Sequence, residues 1–438
     1  MGARTKMPRT AHIYRSRPQQ PPTDFVELIQ QRFCSTLARE EPTVIVERIC
    51  MAYQGGSPPT AGTQGDQSKA YQSGARSHSR REVLSTLAAL GACAFAPGEA
   101  WTAQKSGPTT KSRLIDVHHH ILPPVYLAEA RDRLLAQQQG YLPARILQWS
   151  PQNALAEMDQ NEVATSIVSI SPPGIWFGDV QSARALARKC NEYAAQLVRD
   201  YPGRFGFFAS VPLPDTEGSL KEIAYALDVL KGDGIIFLTS YGDKWPGDPA
   251  YAPVFDELNR RKALVFFHPA APNCCRNLIP NIPPVFTELP HDTTRAITSL
   301  LFSGSFARFR DVRFVFSQAG GTVPMLAGRL THYSAEMKDL VAKIPNGVEF
   351  ELKRLYYDIA SSANPPAMAA LMKLVPTSQI LFGGDYPYVS IAETADGMTH
   401  LGLSPSDLQA IGRDNALALL PRLKGKLKEL SVPARQRR

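Results

Sequence analysis

From residue 113 onward the sequence alternates short apolar runs with segments of helical periodicity. Amphipathic segments, such as 183–201 and 248–262, separate the runs. Runs this continuous in Val, Ile, Leu and Phe are typical of parallel strands buried on both faces. Eight strand–helix units predict an α/β fold, a (β/α)₈ TIM barrel, over about residues 111–425. An open doubly wound sheet is the alternative, but no G-x-G-x-x-G follows the first run. The eight runs are RLIDVHH (113–119), TSIVSIS (165–171), GFFASV (206–211), GIIFLTS (234–240), ALVFFHP (263–269), VRFVFSQ (312–318), RLYYDIA (354–360) and QILFGGD (379–385).

The net charge of +8 does not describe the barrel. Residues 1–110 hold 13 Lys and Arg against 8 Asp and Glu, so most of the excess precedes the first strand. The barrel segment has no basic stripe with interleaved aromatic residues, which argues against nucleic-acid binding. Residues 426–438, which end in RQRR, are predicted to be a solvated basic tail.

The N-terminal extension has two parts. Residues 1–78 are rich in Pro, Gln, Gly and Ser, and we predict a disordered, low-complexity leader. Residues 79–100 begin with Ser-Arg-Arg, continue with an apolar run and reach Ala94-Phe95-Ala96, an order typical of a bacterial twin-arginine export signal. The run is too short for a stable membrane span. We therefore predict a periplasmic or exported protein, with a cytoplasmic one as the alternative, and a translation start downstream of Met1, at Met51.

Histidines end the first strand-like run. Catalytic groups of such barrels lie at the carboxyl ends of the strands. Side chains alternate along a strand, so His118 and His120 are expected on one side and His119 on the other. Two imidazoles on one side can share one cation, so the H-x-H pair predicts a metal site.

Two further strand ends carry candidate ligands. His268 ends VFFH, and Asp385 ends LFGGD, where two glycines allow close backbone approach. In a closed barrel the last strand lies beside the first, which brings Asp385 to the H-x-H pair. Three imidazoles and a carboxylate predict a divalent metal, zinc first and manganese second, with no organic cofactor. A structural histidine at His268 and a turn or cap aspartate at Asp385 are the alternatives.

The chain resembles the amidohydrolase-related family, in particular its nonoxidative decarboxylase branch. That branch includes aminocarboxymuconate-semialdehyde, γ-resorcylate and 6-methylsalicylate decarboxylases. The resemblance runs collinearly from about residue 113 to 424. It rests on six segments: IDVHHHILPP, YPGRFGFFASVPLPD, VFFHP, FSQAGGTVPMLAGRL, ILFGGDYPY and IGRDNALALLP.

The resemblance implies roles for particular residues. It makes His118, His120, His268 and Asp385 the metal ligands, and it places Gly320 and Gly321 in a tight turn after the sixth strand. Arg329 lies where family members use arginines, sometimes across a dimer, to bind a substrate carboxylate. A homodimer is implied in the same way. A structural arginine on a helix surface is the alternative for Arg329.

Gln318 departs from the family pattern. Members usually have histidine before the two glycines, whereas this chain has glutamine. An amide can orient water or hold a substrate oxygen, but it does not titrate, so it cannot act as an acid or base. Asp385 then remains as the expected proton carrier.

Three functions are compatible with these residues. The first is nonoxidative decarboxylation of a small aromatic or enol-type carboxylic acid by a carbon–carbon lyase. The second is hydrolysis by a lactonase or amidohydrolase that uses the same metal site. The third is a degenerate, non-catalytic barrel, for which Gln318 is the only support.

Overall fold

The computed structural model describes residues 114–137, 144–275 and 278–423. The predicted leader (1–78), export signal (79–100) and basic tail (426–438) lie outside these residues. Among the helices that are described, none has both the length and the apolar character needed to cross a bilayer.

All eight predicted runs form strands, and the predicted barrel is confirmed. The strands pair in chain order, from β1 to β8, and every pairing is parallel. The strands are β1 Leu114–His120, β2 Val163–Ser169, β3 Phe205–Ser210, β4 Gly234–Leu238, β5 Leu264–His268, β6 Arg313–Phe316, β7 Tyr356–Asp358 and β8 Ile380–Leu381.

The barrel closes between β1 and the segment that follows β8. The backbone amide of Val117 donates to the carbonyl of Phe382 at 3.0 Å, and that of His120 donates to Tyr386 at 2.7 Å. These bonds continue the ladder where β8 itself has ended. The closure brings the ends of the first and last strands together, as the sequence predicts.

Helices follow the strands and cover the outside of the barrel. The predicted segment 183–201 forms a helix whose N-cap is Asp179, and Ser404 caps the helix at 405–409 by accepting a hydrogen bond from the backbone amide of Asp407. The α-helices are α1 Pro124–Gln137, α2 Ala144–Leu147, α3 Pro151–Gln160, α4 Val180–Asp200, α5 Thr216–Ala224, α6 Ala252–Arg260, α7 Glu288–Phe302, α8 Ser305–Arg308, α9 Val323–Ala335, α10 Lys338–Lys343, α11 Val348–Lys353, α12 Pro365–Leu374, α13 Ile391–Thr399, α14 Pro405–Gln409 and α15 Asn415–Leu419.

The strands separate two apolar clusters. One lies between the strands and the helices, and it includes Phe237, Phe267 and Phe316. The other joins residues of the opposite strand face, including Phe208 and Phe266, whose rings stack at 5.4 Å. This second cluster fills the barrel, and the ring of its residue Phe266 lies 5.1 Å from that of His118 on β1.

Phe267 is the residue of the outer cluster whose truncation we expect to destabilise the fold most clearly. It is fully buried, and its ring stacks on Phe316 at 4.6 Å. Phe267→Ala is expected to lower the free energy of unfolding by about 3–5 kcal/mol, because it removes buried area and leaves a cavity. Denaturant unfolding measures the loss. Phe350→Ala is the control, because this side chain is 46% exposed, and it should lower the free energy of unfolding much less.

Candidate metal centre and active site

His118 and His120 face each other at the end of β1. Their Nε2 atoms are 3.1 Å apart, and both side chains are fully buried. An irregularity in the β1–β2 register between Asp116 and His119 changes the side-chain alternation. Val117 belongs to the cluster inside the barrel, so strict alternation would direct His118 and His120 to the other face of the strand. The irregularity allows both histidines to converge at the end of the barrel instead. His119 instead bonds to Asp116, as expected for a residue outside the metal set.

Asp385 and His268 complete the cluster. Oδ1 of Asp385 lies 3.4 Å from Nε2 of His118 and 3.2 Å from Nε2 of His120. With His268, one ligand atom from each residue lies within 4.8 Å of all the others. The structure therefore brings the four predicted ligands together.

Glycines before Asp385 make this approach sterically feasible. A Cβ on Gly383 would lie 2.8 Å from the Cβ of His118, and a Cβ on Gly384 would lie 2.9 Å from Oδ2 of Asp116. Asp385 itself has a φ of +57°, and its amide donates to the carbonyl of His118 at 2.6 Å. The Gly-Gly-Asp sequence thus turns the carboxylate out of the ladder and towards the histidines.

Each of the three cluster histidines is oriented by a contact at its Nδ1 atom. The Nδ1 atom of His118 lies 3.0 Å from Oδ2 of Asp358, and that of His268 lies 2.8 Å from the carbonyl of Pro269. For His120 the partner is the hydroxyl of Ser169, at 3.2 Å. These contacts leave the three Nε2 atoms directed at one point. Such outer partners are typical of metal-binding imidazoles.

Two buried atoms at this point have no hydrogen-bond partner among the described residues. They are Nε2 of His268 and Oδ1 of Asp385, which is near His120 but lacks hydrogen-bond geometry. A buried polar atom without a partner is costly. A divalent cation would satisfy both atoms, and three imidazole nitrogens with one carboxylate are a donor set that transition metals prefer. The residues present therefore fit a metal ion.

The pKa values of three cluster residues favour ligand-competent protonation states. Burial lowers the pKa of His120 and takes that of His268 well below its usual value, which favours the neutral form of both side chains. Burial would raise the pKa of Asp385, but His118 and His120 hold it below its usual value. His118 differs: burial would lower its pKa, yet the carboxylates of Asp358 and Asp385 raise it to about 9.

The raised pKa of His118 predicts a pH dependence of metal binding. Below about pH 9 both ring nitrogens of His118 are protonated in the metal-free protein. A cation must therefore displace the proton on Nε2. Apparent affinity should therefore increase with pH, by about tenfold per unit, until His118 is neutral. Calorimetry in buffers of different ionisation enthalpy should count about one proton released near neutral pH. Affinity independent of pH in that range would contradict this.

Gln318 lies beside Asp385 on a strained turn. Its Nε2 donates to Oδ2 of Asp385 at 3.4 Å. Gln318 and Ala319 have φ values of +54° and +56°, and Gly320 and Gly321 continue the left-handed turn. Non-glycine residues in this region cost about 1–3 kcal/mol each, and such strain is concentrated at functional sites. The predicted tight turn is present, and it directs the Gln318 amide to the cluster.

Arg329 is not one of the buried residues of the cluster. It is exposed on α9, and its guanidinium stacks on Tyr333 at 4.6 Å. It does not line the cavity described next.

A cavity of about 700 Å³ opens at the carboxyl end of the barrel. Its walls come from α1 and from the segments after β2, β4 and β5, and they include Trp176, Phe177, Tyr241 and Arg133. None of the four cluster residues lines it, but Ala270 in its wall is two residues after His268. The cavity therefore lies at the same end as the cluster, in the position of a substrate pocket.

Asp292 of α7 stabilises one wall of this cavity. Its buried carboxylate accepts hydrogen bonds from Thr239, Ser240 and Trp245, at 2.5, 2.9 and 2.7 Å. Burial raises the pKa of Asp292, and the three donors oppose that shift. The bonds fix the segment after β4, which carries Ser240 and Tyr241 of the cavity wall.

Sequence reasoning missed three residues around the cluster. Asp358 ends β7 and contacts His118. In the sequence it lies inside the run RLYYDIA, before Ile359 and Ala360, so it did not stand out as the polar end of a run. Asp116 precedes the histidines on β1 and contacts His119. Tyr388 follows Asp385, and its ring lies 5.5 Å from that of His120; an aromatic residue in a loop gave no signal.

Comparison with known proteins supports the resemblance found in the sequence. Decarboxylase yanB of Aspergillus niger is 36% identical over 326 residues, which cover 70% of this chain and 87% of that protein. A 6-methylsalicylic acid decarboxylase of Penicillium expansum is 36% identical over 328 residues, or 71% and 97% of the two chains.

A solved structure confirms the fold. The dihydroxybenzoic acid decarboxylase of Polaromonas sp., crystallised with bound manganese, superimposes with a TM-score of 0.61 at 20% identity. The match covers 70% of this chain and 96% of that one. The sequence model of the amidohydrolase family matches residues 115–422, which is most of the chain. The chain belongs to the amidohydrolase family.

Proposed function

We propose that this chain is a metal-dependent nonoxidative decarboxylase of a hydroxylated aromatic acid. The observation that carries the proposal is the convergence of three imidazoles and one carboxylate at the end of the barrel, where two buried atoms have no partner among the described residues. The 6-methylsalicylic acid decarboxylase is 36% identical over 97% of its own length. This similarity supports a carbon–carbon lyase and suggests a salicylate-type substrate. Of the three functions that the sequence allows, these relatives favour the first.

The metal would be held by His118, His120, His268 and Asp385. When bound, the ion supplies Lewis acidity that stabilises negative charge on a substrate oxygen. We propose zinc, because imidazole-rich sites bind zinc more tightly than manganese. Manganese is the alternative, and elemental mass spectrometry of the purified chain distinguishes them.

The reaction breaks one carbon–carbon bond, releases CO₂ and places a proton on the ring carbon. In this proposal Asp385, the titratable side chain beside Gln318, relays that proton: as a carboxylate it first accepts a proton from the substrate's hydroxyl group or from solvent and then gives it to the ring carbon. The amide of Gln318 donates to Oδ2 of Asp385 and orients the carboxylate. Gln318 itself cannot give or take the proton.

The cavity suits a small aromatic acid. A volume of about 700 Å³ accommodates a single ring with substituents, and Trp176, Phe177 and Tyr241 offer apolar contact. Arg133 in the cavity wall is a cation near which a substrate carboxylate can bind. The predicted substrate is therefore a small carboxylate.

A substrate panel tests the reaction class. The zinc- or manganese-loaded chain is incubated with 2-hydroxybenzoates that carry different substituents, and separately with aryl lactones. The proposal expects CO₂ and the corresponding phenol from at least one benzoate. Lactone opening without CO₂ release would support a metal-dependent hydrolase instead.

Variants at Gln318 separate an active enzyme from a degenerate barrel. Gln318→Ala is expected to lower kcat by about 10-fold to 100-fold, because Asp385 loses its orienting hydrogen bond. Metal content should not change, since Gln318 is not one of the four ligands. If neither the wild type nor Gln318→His decarboxylates any benzoate, although both bind metal, the degenerate barrel is the better interpretation.

A homodimer is the second part of the proposal. Along α9 and just beyond it, Met325, Tyr333 and Met337 are 76%, 50% and 54% exposed, and Arg329 lies in the same row. Exposed apolar rows of this kind are typical of subunit interfaces. Light scattering of the full chain should give twice the chain mass, and Met325→Glu should shift it towards the monomer.

Export rests on the sequence of residues 79–96 alone. The two relatives at 36% identity are fungal, and they give no argument for a bacterial export route. We retain the twin-arginine signal and a periplasmic or exported location as a proposal. Replacing Arg80 and Arg81 with lysine in a bacterial host, followed by cell fractionation, tests it; an unchanged distribution would favour the cytoplasm.

A further inference from the structure

Two buried aspartates near the cluster have the same pattern of contacts. Asp358 and Asp116 are both fully buried. In each, Oδ1 accepts two backbone amides and Oδ2 contacts the Nδ1 atom of one histidine. They differ in which histidine they contact: Asp358 contacts His118 of the cluster, whereas Asp116 contacts His119 outside it.

The contacts of Asp358 leave one arrangement of protons. Its Oδ1 accepts the amides of Gln318 at 3.2 Å and Ala360 at 2.9 Å, and its Oδ2 lies 3.0 Å from Nδ1 of His118. An ionised carboxylate only accepts hydrogen bonds, so Nδ1 of His118 must be the donor. The lone pair of the neutral ring is then on Nε2, the atom that faces His120 and Asp385.

We propose that Asp358 is a positioning residue that fixes the metal-binding tautomer of His118. The inference rests on the metal site of the proposed function. Asp358 need not touch the metal or the substrate, because its action passes through the imidazole. The same carboxylate also binds the amide of Gln318, so it fixes the start of the strained turn together with the histidine.

The variant Asp358→Asn should select the wrong tautomer. The backbone amides of Gln318 and Ala360 require an acceptor, so the oxygen of the substituted side chain would take the place of Oδ1. Its NH₂ group would then face Nδ1 of His118 and require Nδ1 to accept. The ring proton would move to Nε2, which removes the lone pair needed by a cation.

Alanine at the same position gives the discriminating comparison. Asp358→Ala removes all three contacts, yet it places no donor against His118 and leaves both tautomers accessible. If Asp358 acts through the tautomer, Asp358→Ala should bind metal more tightly than Asp358→Asn. If Asp358 only fills space and satisfies backbone amides, the more disruptive alanine should be the weaker binder.

Asp116→Asn is the matched control. Oδ1 of Asp116 accepts the amides of His118 at 3.0 Å and Gly384 at 2.8 Å, and its Oδ2 lies 3.0 Å from Nδ1 of His119. The same substitution therefore makes the same change in a carboxylate of equal burial. Its tautomeric effect falls on His119, which is not one of the four ligands.

The test is zinc affinity of the full chain, measured by competition with a chromophoric chelator for the wild type and the three variants. We expect Asp358→Asn to weaken binding by about 100-fold, Asp358→Ala to weaken it less, and Asp116→Asn to remain close to the wild type. Nuclear magnetic resonance of the zinc-loaded wild type should show a protected Nδ1–H proton on His118.

Three results would overturn the inference: wild-type affinity in Asp358→Asn, weaker binding in Asp358→Ala than in Asp358→Asn, or equal losses in Asp358→Asn and Asp116→Asn. If the wild type itself binds no zinc or manganese, the metal site of the proposed function fails instead. The two failures are therefore distinguishable. Thermal unfolding of the metal-free variants identifies any that does not fold. If Asp358→Ala or Asp116→Asn is lost, Asp358→Asn and the other variant still decide between a tautomeric and a packing role; if Asp358→Asn is lost, absence of the Nδ1–H signal of His118 in the wild type overturns the inference.

Discussion

The double variant His118→Ala/His120→Ala binds no metal and releases no CO₂: this is the largest effect that we expect. The two Nε2 atoms are 3.1 Å apart and form half of the donor set. His268 and Asp385 alone leave a divalent ion with two protein ligands, whereas catalytic sites of this kind use at least three. Elemental mass spectrometry and a CO₂ assay on the same preparation measure both losses.

His119→Ala is the matched control for this variant. His119 is equally buried, lies between the two ligands and is bonded to Asp116 rather than to the cluster. It should cost stability but retain the metal. A double variant that keeps a stoichiometric metal ion, or a His119→Ala variant that loses it, would contradict the proposed ligand set.

Asp385→Asn is expected to have the second largest effect. The amide preserves the shape of the side chain but removes the only carboxylate among the four ligands and the proposed proton carrier. Loss of a general acid–base group lowers kcat by about 10²–10⁴-fold, and weaker metal binding adds to that loss in kcat/KM. Steady-state kinetics at saturating metal separates the two contributions.

An exposed aspartate supplies the control for that substitution. Asp396→Asn on α13 makes the same chemical change at the surface, and it should leave kcat and metal content unchanged. If Asp385→Asn kept wild-type kcat at saturating metal, Asp385 could not be the proton carrier. Another group would then have to protonate the ring.

The barrel was predictable because its strands are buried on both faces. Such strands appear as uninterrupted apolar runs, so even β7 and β8, with three and two residues, were located. Their lengths were overestimated. The prediction extended β8 to residue 385, but Asp385 adopts a positive φ and leaves the ladder after the two glycines. Backbone conformation of that kind depends on packing against β1.

The convergence of His118, His120, His268 and Asp385 was also predictable, since each lies at or near the carboxyl end of a predicted strand and barrel closure brings these ends together. Asp358 was missed because it lies inside the predicted run RLYYDIA, followed by Ile359 and Ala360, and so did not mark the end of that run. Its contact with His118 joins residues 240 positions apart, and only the fold reveals it. For Arg329 the sequence left a substrate contact and a helix-surface position open, because its exposure depends on how α9 packs, which no local pattern specifies.

The most direct test of the central claim is isotopic. The full chain, stripped of metal by a chelator, is incubated with 6-methylsalicylate labelled with ¹³C in the carboxyl group, before and after one equivalent of zinc or manganese is restored. We predict no turnover in the stripped protein, and ¹³CO₂ with an equal amount of phenolic product after metal is restored. A metal-replete protein that converts this acid, or related 2-hydroxybenzoates, without releasing labelled CO₂, or that releases it equally well without metal, would contradict the claim.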